Sequence, residues 1–205
     1  MKLADKVLRA VAANGLAFAA LAVLATPSGA VYLSESNGVA RLVGPIVQGD
    51  EKVFADFLAQ PRAQPIRVLY LDSFGGSVEA GVSIARMVRK AKLATAVDAV
   101  YKHCVSACTL VFAGGVKRYN VHGEAVEEGY NALSGLAYHT SFNKGDVVHF
   151  ATRSDKGTQI MSSLYAEMGC PGAAGLMQKG HGGSVYHPSG PTSLALKIAT
   201  SLGEP

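Results

Sequence analysis

An apolar run that ends in a glycine pair places the strongest constraint on how this chain can fold. Residues 66–71 have the length and composition of a strand buried on both faces. Gly75 and Gly76 follow, and the next apolar residues recur at helical spacing, with Ser77 placed to cap that helix. A buried strand joined to an amphipathic helix by a tight turn is the repeating unit of a parallel sheet. The sequence therefore predicts an α/β fold.

The same order of strand, turn and helix recurs along the rest of the chain. Units of this kind connect through right-handed crossovers, and a chain of 205 residues has room for one domain with a substantial core. We expect that domain to cover residues 31–205. Further strands are predicted at residues 39–47, 93–97, 116–121 and 135–139, and further helices at residues 50–58, 105–112, 158–168 and 192–200.

The N-terminal segment has the composition of a secretory signal. Three basic residues precede an apolar stretch at residues 11–25, and small residues lead up to Ala30. The apolar stretch is shorter than the ~20 residues that span a bilayer comfortably. We expect residues 1–30 to be a signal peptide, cleaved after Ala30, so that the protein is exported to the periplasm or secreted. An uncleaved anchor that tethers the protein to a membrane is the alternative.

Charge and composition argue against two classes of function. The net charge of +4 is modest, and the basic residues are scattered, without a basic run interleaved with aromatic residues. This distribution does not favour nucleic acid as a partner. No Cys/His cluster has zinc-ligand spacing, so we expect neither a metal nor another cofactor.

Ser106 lies in the first turn of the short apolar helix, where free backbone N–H groups can stabilise a developing oxyanion. The N–H of Ala107 is one candidate donor. The Gly75-Gly76 turn is the candidate source of the second donor, because glycine lets backbone approach a substrate closely. A serine hydroxyl needs a base to become a nucleophile, and His139 stands at the end of a predicted strand. The sequence predicts a Ser106 nucleophile, a His139 base and an oxyanion hole formed by the Ala107 N–H and the Gly75-Gly76 turn.

Two cysteines flank the candidate nucleophile. Cys104 and Cys108 are four residues apart, a separation that one helical turn brings within disulfide range. An exported protein meets an oxidising compartment in which such a bridge can form. The alternative is that both are small buried hydrophobic residues beside the site. Both interpretations stay open at the level of sequence.

These motifs together resemble those of the Clp-type serine peptidase and crotonase-like superfamily, in particular its small exported members. Residues 71–81 resemble the family's strand–Asn-Ser-Pro-Gly-Gly-Ser–helix loop, and residues 104–115 resemble its nucleophile helix. Residues 137–139 resemble the strand that carries the catalytic histidine. The resemblance covers most of residues 39–200.

The resemblance implies a crotonase/Clp-protease-like spiral of strand–helix units, a peptide or protein substrate, and self-association into a homo-oligomer. It assigns the nucleophile to Ser106, the base to His139, and the oxyanion donors to Gly76 and Ala107. A crotonase-like enzyme acting on acyl-thioesters is disfavoured, because an exported protein meets little coenzyme A.

The chain departs from the family pattern at the third catalytic member. Residues 180–187, where the family places an acid, contain no carboxylate. Asp146 and Asp155 are the candidate orienting acids, and a backbone carbonyl is another way to hold the ring. Asp72 and Phe74 also stand where Asn and Pro are usual.

The missing acid leaves alternatives for both the base and the function. His122 competes with His139, and Lys144 is a candidate base by resemblance to signal-peptide peptidases, which use a lysine. Without an orienting acid the protein could also be a catalytically inactive binding protein. Such a protein would keep the fold and hold a peptide or a partner in the same groove.

Overall fold

The computed structural model of the protein describes residues 30–142, 153–180 and 183–205. A second, smaller sheet accompanies the main sheet, and the α/β class predicted from the sequence is confirmed. The main sheet contains β1 (Tyr32–Ser36), β2 (Val39–Val43), β3 (Val68–Asp72), β4 (Ala94–Asp98) and β6 (Arg118–Val121), and the smaller sheet pairs β5 (His103–Val105) with β7 (Gly135–Ala137).

The main sheet has the strand order β1-β2-β3-β4-β6. Only its first pair, β1 with β2, is antiparallel, and the pairs from β2 to β6 are parallel. The small sheet is parallel and places Cys104 beside Leu136. Since β5 also bridges to Ser73 just beyond β3, the small sheet continues from the carboxyl end of the main one.

The helices lie between and around these strands, and one of them, over residues 172–179, was not predicted. The predicted C-terminal helix over residues 192–200 is shorter than expected, because Lys197 adopts a positive φ that ends the helical run. The helices are α1 (Asp50–Ala59), α2 (Val78–Lys90), α3 (Ala107–Gly114), α4 (Asp155–Glu167), α5 (Gly172–Lys179) and α6 (Gly190–Ala195), with a short 3-10 helix at Gly123–Ala125.

Helix α3 is buried along its whole length and packs closely against α2. Gly81 makes this approach possible, since a Cβ at that position would lie 2.9 Å from the Ala107 carbonyl oxygen. At the other end of α3, a Cβ at Gly114 would likewise clash with the backbone of Ala85 in α2. Two glycines therefore bring the N-terminus of α3, which follows Ser106, close to the start of α2.

Two arginines hold the C-terminal end of α3. Arg89 donates to the Gly114 carbonyl at 2.8 Å, and the buried Arg118 donates to the Gly115 carbonyl at 3.0 Å and the Ile198 carbonyl at 2.7 Å. Burial lowers the pKa of Arg118, yet its charge faces carbonyl oxygens at the negative end of the helix. These bonds satisfy carbonyls that a buried helix end would otherwise leave unpaired.

Within the described ranges, none of the helices has the length and apolar character needed to cross a membrane. Residues 1–29 of the predicted signal segment lie outside those ranges, so the expectation of export rests on the sequence.

Candidate active site

Ser106 occupies a strained turn between β5 and α3. Its φ of 55° and ψ of −122° form a conformation that residues with a Cβ rarely adopt. Hydrogen bonds hold the turn on both sides: the Ser106 N–H donates to the Ala137 carbonyl at 3.1 Å, and the Thr109 N–H donates to the Ser106 carbonyl at 2.9 Å. Only 8% of Ser106 is exposed, and that part lines a cleft. Its hydroxyl has no hydrogen-bond partner among the described residues.

A disulfide bond spans this turn. Cys104 in β5 and Cys108 in α3 are bridged, with their Cα atoms 5.1 Å apart, and both are fully buried. Of the two interpretations that the sequence left open, the structure has the bridge. The bond ties the strand that precedes Ser106 to the helix that follows it.

The glycine loop after β3 packs directly against Ser106. A Cβ at Gly75 would lie 2.9 Å from the Ala107 backbone nitrogen, and the loop needs positive φ angles of 86° at Gly75 and 137° at Gly76. The Gly75 N–H is already used, because it donates to Ser73 Oγ at 3.0 Å. The neighbouring Gly76 N–H has no partner among the described residues.

The two predicted oxyanion donors are alike in that neither N–H has a partner among the described residues. The Ala107 N–H lies at the start of α3, where helix geometry leaves N–H groups unpaired, and within the described residues it has no partner either. Backbone on the other side of the loop is held by Ile46, whose N–H donates to the Gly75 carbonyl at 2.8 Å and whose carbonyl accepts from Ser77 at 2.7 Å. Among the described residues, both candidate donors are therefore without an acceptor in the protein.

His139 lines the same cleft as Ser106. Its Nδ1 lies 2.7 Å from the Thr140 carbonyl oxygen, so the tautomer with a proton on Nδ1 satisfies this contact and leaves Nε2 able to accept a proton. Burial lowers the pKa of His139, while the bond to Thr140 acts in the opposite direction. The ring of Phe142 stacks on the imidazole, with centroids 5.0 Å apart and planes 17° apart.

The direct Ser106–His139 hydrogen bond is absent within the described ranges, where the two residues share only the cleft. Catalytic hydrogen bonds are often longer in a free enzyme than in its complex with substrate. The lack of a direct bond in the free protein therefore does not exclude His139 as the candidate base.

The remaining predicted site residues lie elsewhere. Asp155 begins α4 with a side chain that is 90% exposed and paired with Arg153 at 2.9 Å, and it makes no contact with His139. His122 is exposed and lies 3.4 Å from Asp98, away from the cleft. Asp146 and Lys144 lie outside the described residues. Over the ranges that the structure covers, no carboxylate contacts the His139 ring, and the Thr140 carbonyl is its polar partner.

The cleft that joins these residues has a volume of about 860 Å³. Its walls are mixed, with aliphatic and aromatic side chains beside Glu79 and Lys156. Sequence reasoning missed the roles of Thr140 and Phe142, although both follow His139 within three positions. The described residues hold no cluster of potential metal ligands. The apolar lining residues are Ile46, Val47, Phe74, Val78, Phe142 and Ile160.

The fold is Clp-protease-like, as comparison with solved structures shows. No protein-family model matches the sequence, and no curated protein does so. Solved structures do match. A mutant of ClpP1 from Listeria monocytogenes gives a TM-score of 0.54 at 17% identity, covering 82% of this chain and 91% of that one. A mutant of the membrane-bound stomatin-specific protease 1510-N gives 0.54 at 12% identity, covering 80% and 77%. The predicted fold is confirmed, and it is a peptidase-like fold.

Proposed function

We propose that the protein is a serine peptidase-like hydrolase with Ser106 as nucleophile and His139 as general base. The observation that carries the proposal is the strained Ser106 turn, which opens onto a cleft shared with His139. Strain of this kind costs on the order of 1–3 kcal/mol, persists only where the surrounding structure enforces it, and clusters at active sites. The similarity to solved proteases supports the same class of chemistry.

The reaction would proceed through an acyl-enzyme. The Ser106 hydroxyl proton moves to Nε2 of His139 as Oγ bonds to the substrate carbonyl carbon, and the carbonyl oxygen becomes an oxyanion. The N–H groups of Gly76 and Ala107 donate to that oxygen, each contributing about 3 kcal/mol to transition-state stabilisation. The carbon–nitrogen bond then breaks as Nε2 returns the proton to the leaving amine. A water molecule releases the acyl group by the same steps.

The Thr140 carbonyl takes the orienting part of the acid's role in this scheme. A carbonyl that accepts from Nδ1 selects the productive tautomer, as a carboxylate does, but it carries no charge to stabilise the imidazolium. The face of Phe142 can contribute a smaller cation–π attraction of about 0.5–2 kcal/mol to that cation. We therefore expect turnover slower than that of an enzyme with a complete triad.

The substrate would be a peptide or protein segment in extended conformation, lying along the glycine loop with its scissile carbonyl between Ser106 and the two donors. We also propose export of the mature chain from Val31 onward, and the Cys104–Cys108 bridge supports an oxidising compartment. N-terminal sequencing of protein recovered from the periplasm or medium tests cleavage. Size-exclusion chromatography with light scattering tests the predicted self-association.

A second candidate function is a catalytically inactive protein that binds a peptide in the same cleft. The observation that favours it is the lack of a carboxylate partner for His139 within the described ranges. On this hypothesis the groove and the backbone donors would bind a peptide without cleaving it.

Labelling by an activated fluorophosphonate separates the two functions. We expect wild-type protein to be labelled at one serine, Ser106→Ala to be unlabelled, and the control Ser36→Ala on the exposed edge strand β1 to be labelled like wild type. Intact-mass spectrometry with peptide mapping identifies the site. Failure to label wild type, combined with peptide binding that survives in Ser106→Ala, would favour the binding protein.

A further inference from the structure

Phe74 is an exposed aromatic side chain inside the candidate active-site cleft. It is 69% exposed and lines the cleft together with Ser106 and His139. Single exposed hydrophobic residues are common on protein surfaces and need no explanation. An exposed ring in a concave site beside a nucleophile is different, because such positions contact ligands.

The backbone around Phe74 is fixed on both sides. Before it, the Ser73 N–H donates to the His103 carbonyl at 2.7 Å. After it, the Gly75 N–H donates to Ser73 Oγ at 3.0 Å, and the Gly75 carbonyl accepts from Ile46 at 2.8 Å. The loop therefore presents the ring from a defined position.

The ring itself rests on His103. The two ring centroids are 4.4 Å apart, with planes 34° apart. His103 is held in turn by Asp72, whose Oδ1 accepts from the His103 N–H at 3.2 Å and lies 3.6 Å from its Nδ1. Lys102 bonds the other oxygen of Asp72 at 3.0 Å. Asp72, Lys102 and His103 thus support the ring from behind and leave most of it open.

The second aromatic ring of the cleft is less open. One face of Phe142 stacks on His139, the candidate base, and this residue is 37% exposed, compared with 69% for Phe74. Among the described lining residues, Phe74 therefore offers more exposed aromatic surface to a ligand than Phe142 does.

We propose that Phe74 is a specificity-determining residue that stacks on an aromatic side chain of the bound peptide, with His103 as its positioning residue. The proposal rests on the proposed function only in that a peptide occupies the cleft. A ring fixed before binding loses little freedom on binding, which favours affinity. Aromatic pairs also gain stabilisation beyond their buried area.

The test compares hydrolysis of two activated esters, the p-nitrophenyl esters of N-acetyl-phenylalanine and N-acetyl-alanine. Wild type is expected to prefer the phenylalanine ester. Phe74→Leu, which keeps apolar bulk but loses the ring, is expected to lower the ratio of the two kcat/KM values about fivefold, mainly through KM. The control Tyr101→Leu removes an aromatic residue that is 73% exposed outside the cleft, and it should leave the ratio unchanged.

Variants of His103 test the positioning role. His103→Ala is expected to lower the same ratio by about half as much as Phe74→Leu, because the ring loses its stacking partner. His103→Phe restores a stacking surface and should restore the ratio. A purely structural role predicts equal losses on both esters and no rescue, and that result would overturn the positioning assignment.

Peptide binding to Ser106→Ala separates this proposal from the hydrolase itself. Fluorescence anisotropy with a matched pair of unstructured peptides, one with phenylalanine and one with alanine at the central position, should show tighter binding of the phenylalanine peptide. Addition of Phe74→Leu should remove that preference. An unchanged preference, while wild-type Ser106 still reacts with fluorophosphonate, overturns the Phe74 proposal alone. Loss of labelling with the preference intact overturns the hydrolase alone, and binding of neither peptide together with no labelling overturns both.

Discussion

The two ends of helix α3 differ in whether their terminal backbone groups have hydrogen-bond partners among the described residues. At the C-terminal end, Arg89 and Arg118 donate to successive carbonyls, so that the end is both buried and hydrogen-bonded. At the N-terminal end, Ser106 is held at a positive φ, and the Ala107 N–H is unpaired within the described ranges. One end is satisfied by protein groups, and the other leaves a donor for a ligand.

This difference shows how a small domain can hold a strained turn. Strain at Ser106 persists because the helix behind it is immobilised by burial, by the glycine contacts with α2 and by the two arginines. The Cys104–Cys108 bond adds a constraint at the strained end itself. Stability at one end therefore maintains the geometry that the proposed chemistry needs at the other.

The largest expected effect on activity comes from Ser106→Gly, at the N-terminal end of α3. Removal of the hydroxyl should lower ester hydrolysis roughly 10³-fold or more, since only the oxyanion hole and binding remain. Glycine adopts φ values near 55° without steric cost, so the variant should be more stable by about 1 kcal/mol. Hydrolysis assays and urea unfolding measure the two effects.

Ser106→Ala serves as the control, because it removes the hydroxyl but keeps the Cβ that makes the turn unfavourable. Equal stability of the glycine and alanine variants would contradict the idea that the turn is strained.

Arg118→Met tests how much the hydrogen bonds at the C-terminal end of α3 contribute to stability. The substitution leaves buried carbonyls without donors and should lower the free energy of unfolding by about 3 kcal/mol. Thermal or urea unfolding measures the loss, with Arg41→Met on the exposed face of β2 as control. A loss below that of the control would show that α3 does not depend on this end for its stability.

Replacement of both bridge cysteines tests the constraint at Ser106. The double variant Cys104→Ala/Cys108→Ala loses a short loop closure worth about 2 kcal/mol. We also expect slower fluorophosphonate labelling of Ser106, because the turn can relax. Cys170→Ala, which removes the free buried thiol, should label at the wild-type rate. Labelling of the double variant at that same rate would mean that the bridge does not shape the turn.

The pH dependence of labelling gives the smallest expected effect. Burial lowers the pKa of His139 from its ordinary value of 6.5, and only the neutral ring can act as a base. The rate should therefore be constant near neutral pH and fall only as the pH drops below 6.5, through the folded-state pKa. A stopped assay across the acid range measures this limb. A midpoint above 6.5 would indicate a different base or a charged partner for the ring.

Much of the fold could be predicted from local patterns. The strand–glycine–helix unit that became β3 and α2 matches the structure, including the Ser77 cap, whose Oγ accepts from the Ala80 N–H at 3.3 Å. Other local inferences were wrong in detail. The helix predicted over residues 105–112 begins later, at Ala107, because Val105 belongs to β5 and Ser106 forms the turn between the two elements.

The amino-acid sequence by itself determined the α/β class, the glycine loop and a short apolar helix at Ser106, because each depends on spacing between near neighbours. Only the tertiary structure decided that the Gly75 N–H is occupied while the Gly76 N–H is unpaired among the described residues, and that His103 supports Phe74. The Phe74–His103 contact joins segments far apart in the chain, and the Ser73–Gly75 bond forms in a loop whose backbone is held by the distant residues Ile46 and His103. A local pattern carries no information about such contacts, since chain packing sets their distances.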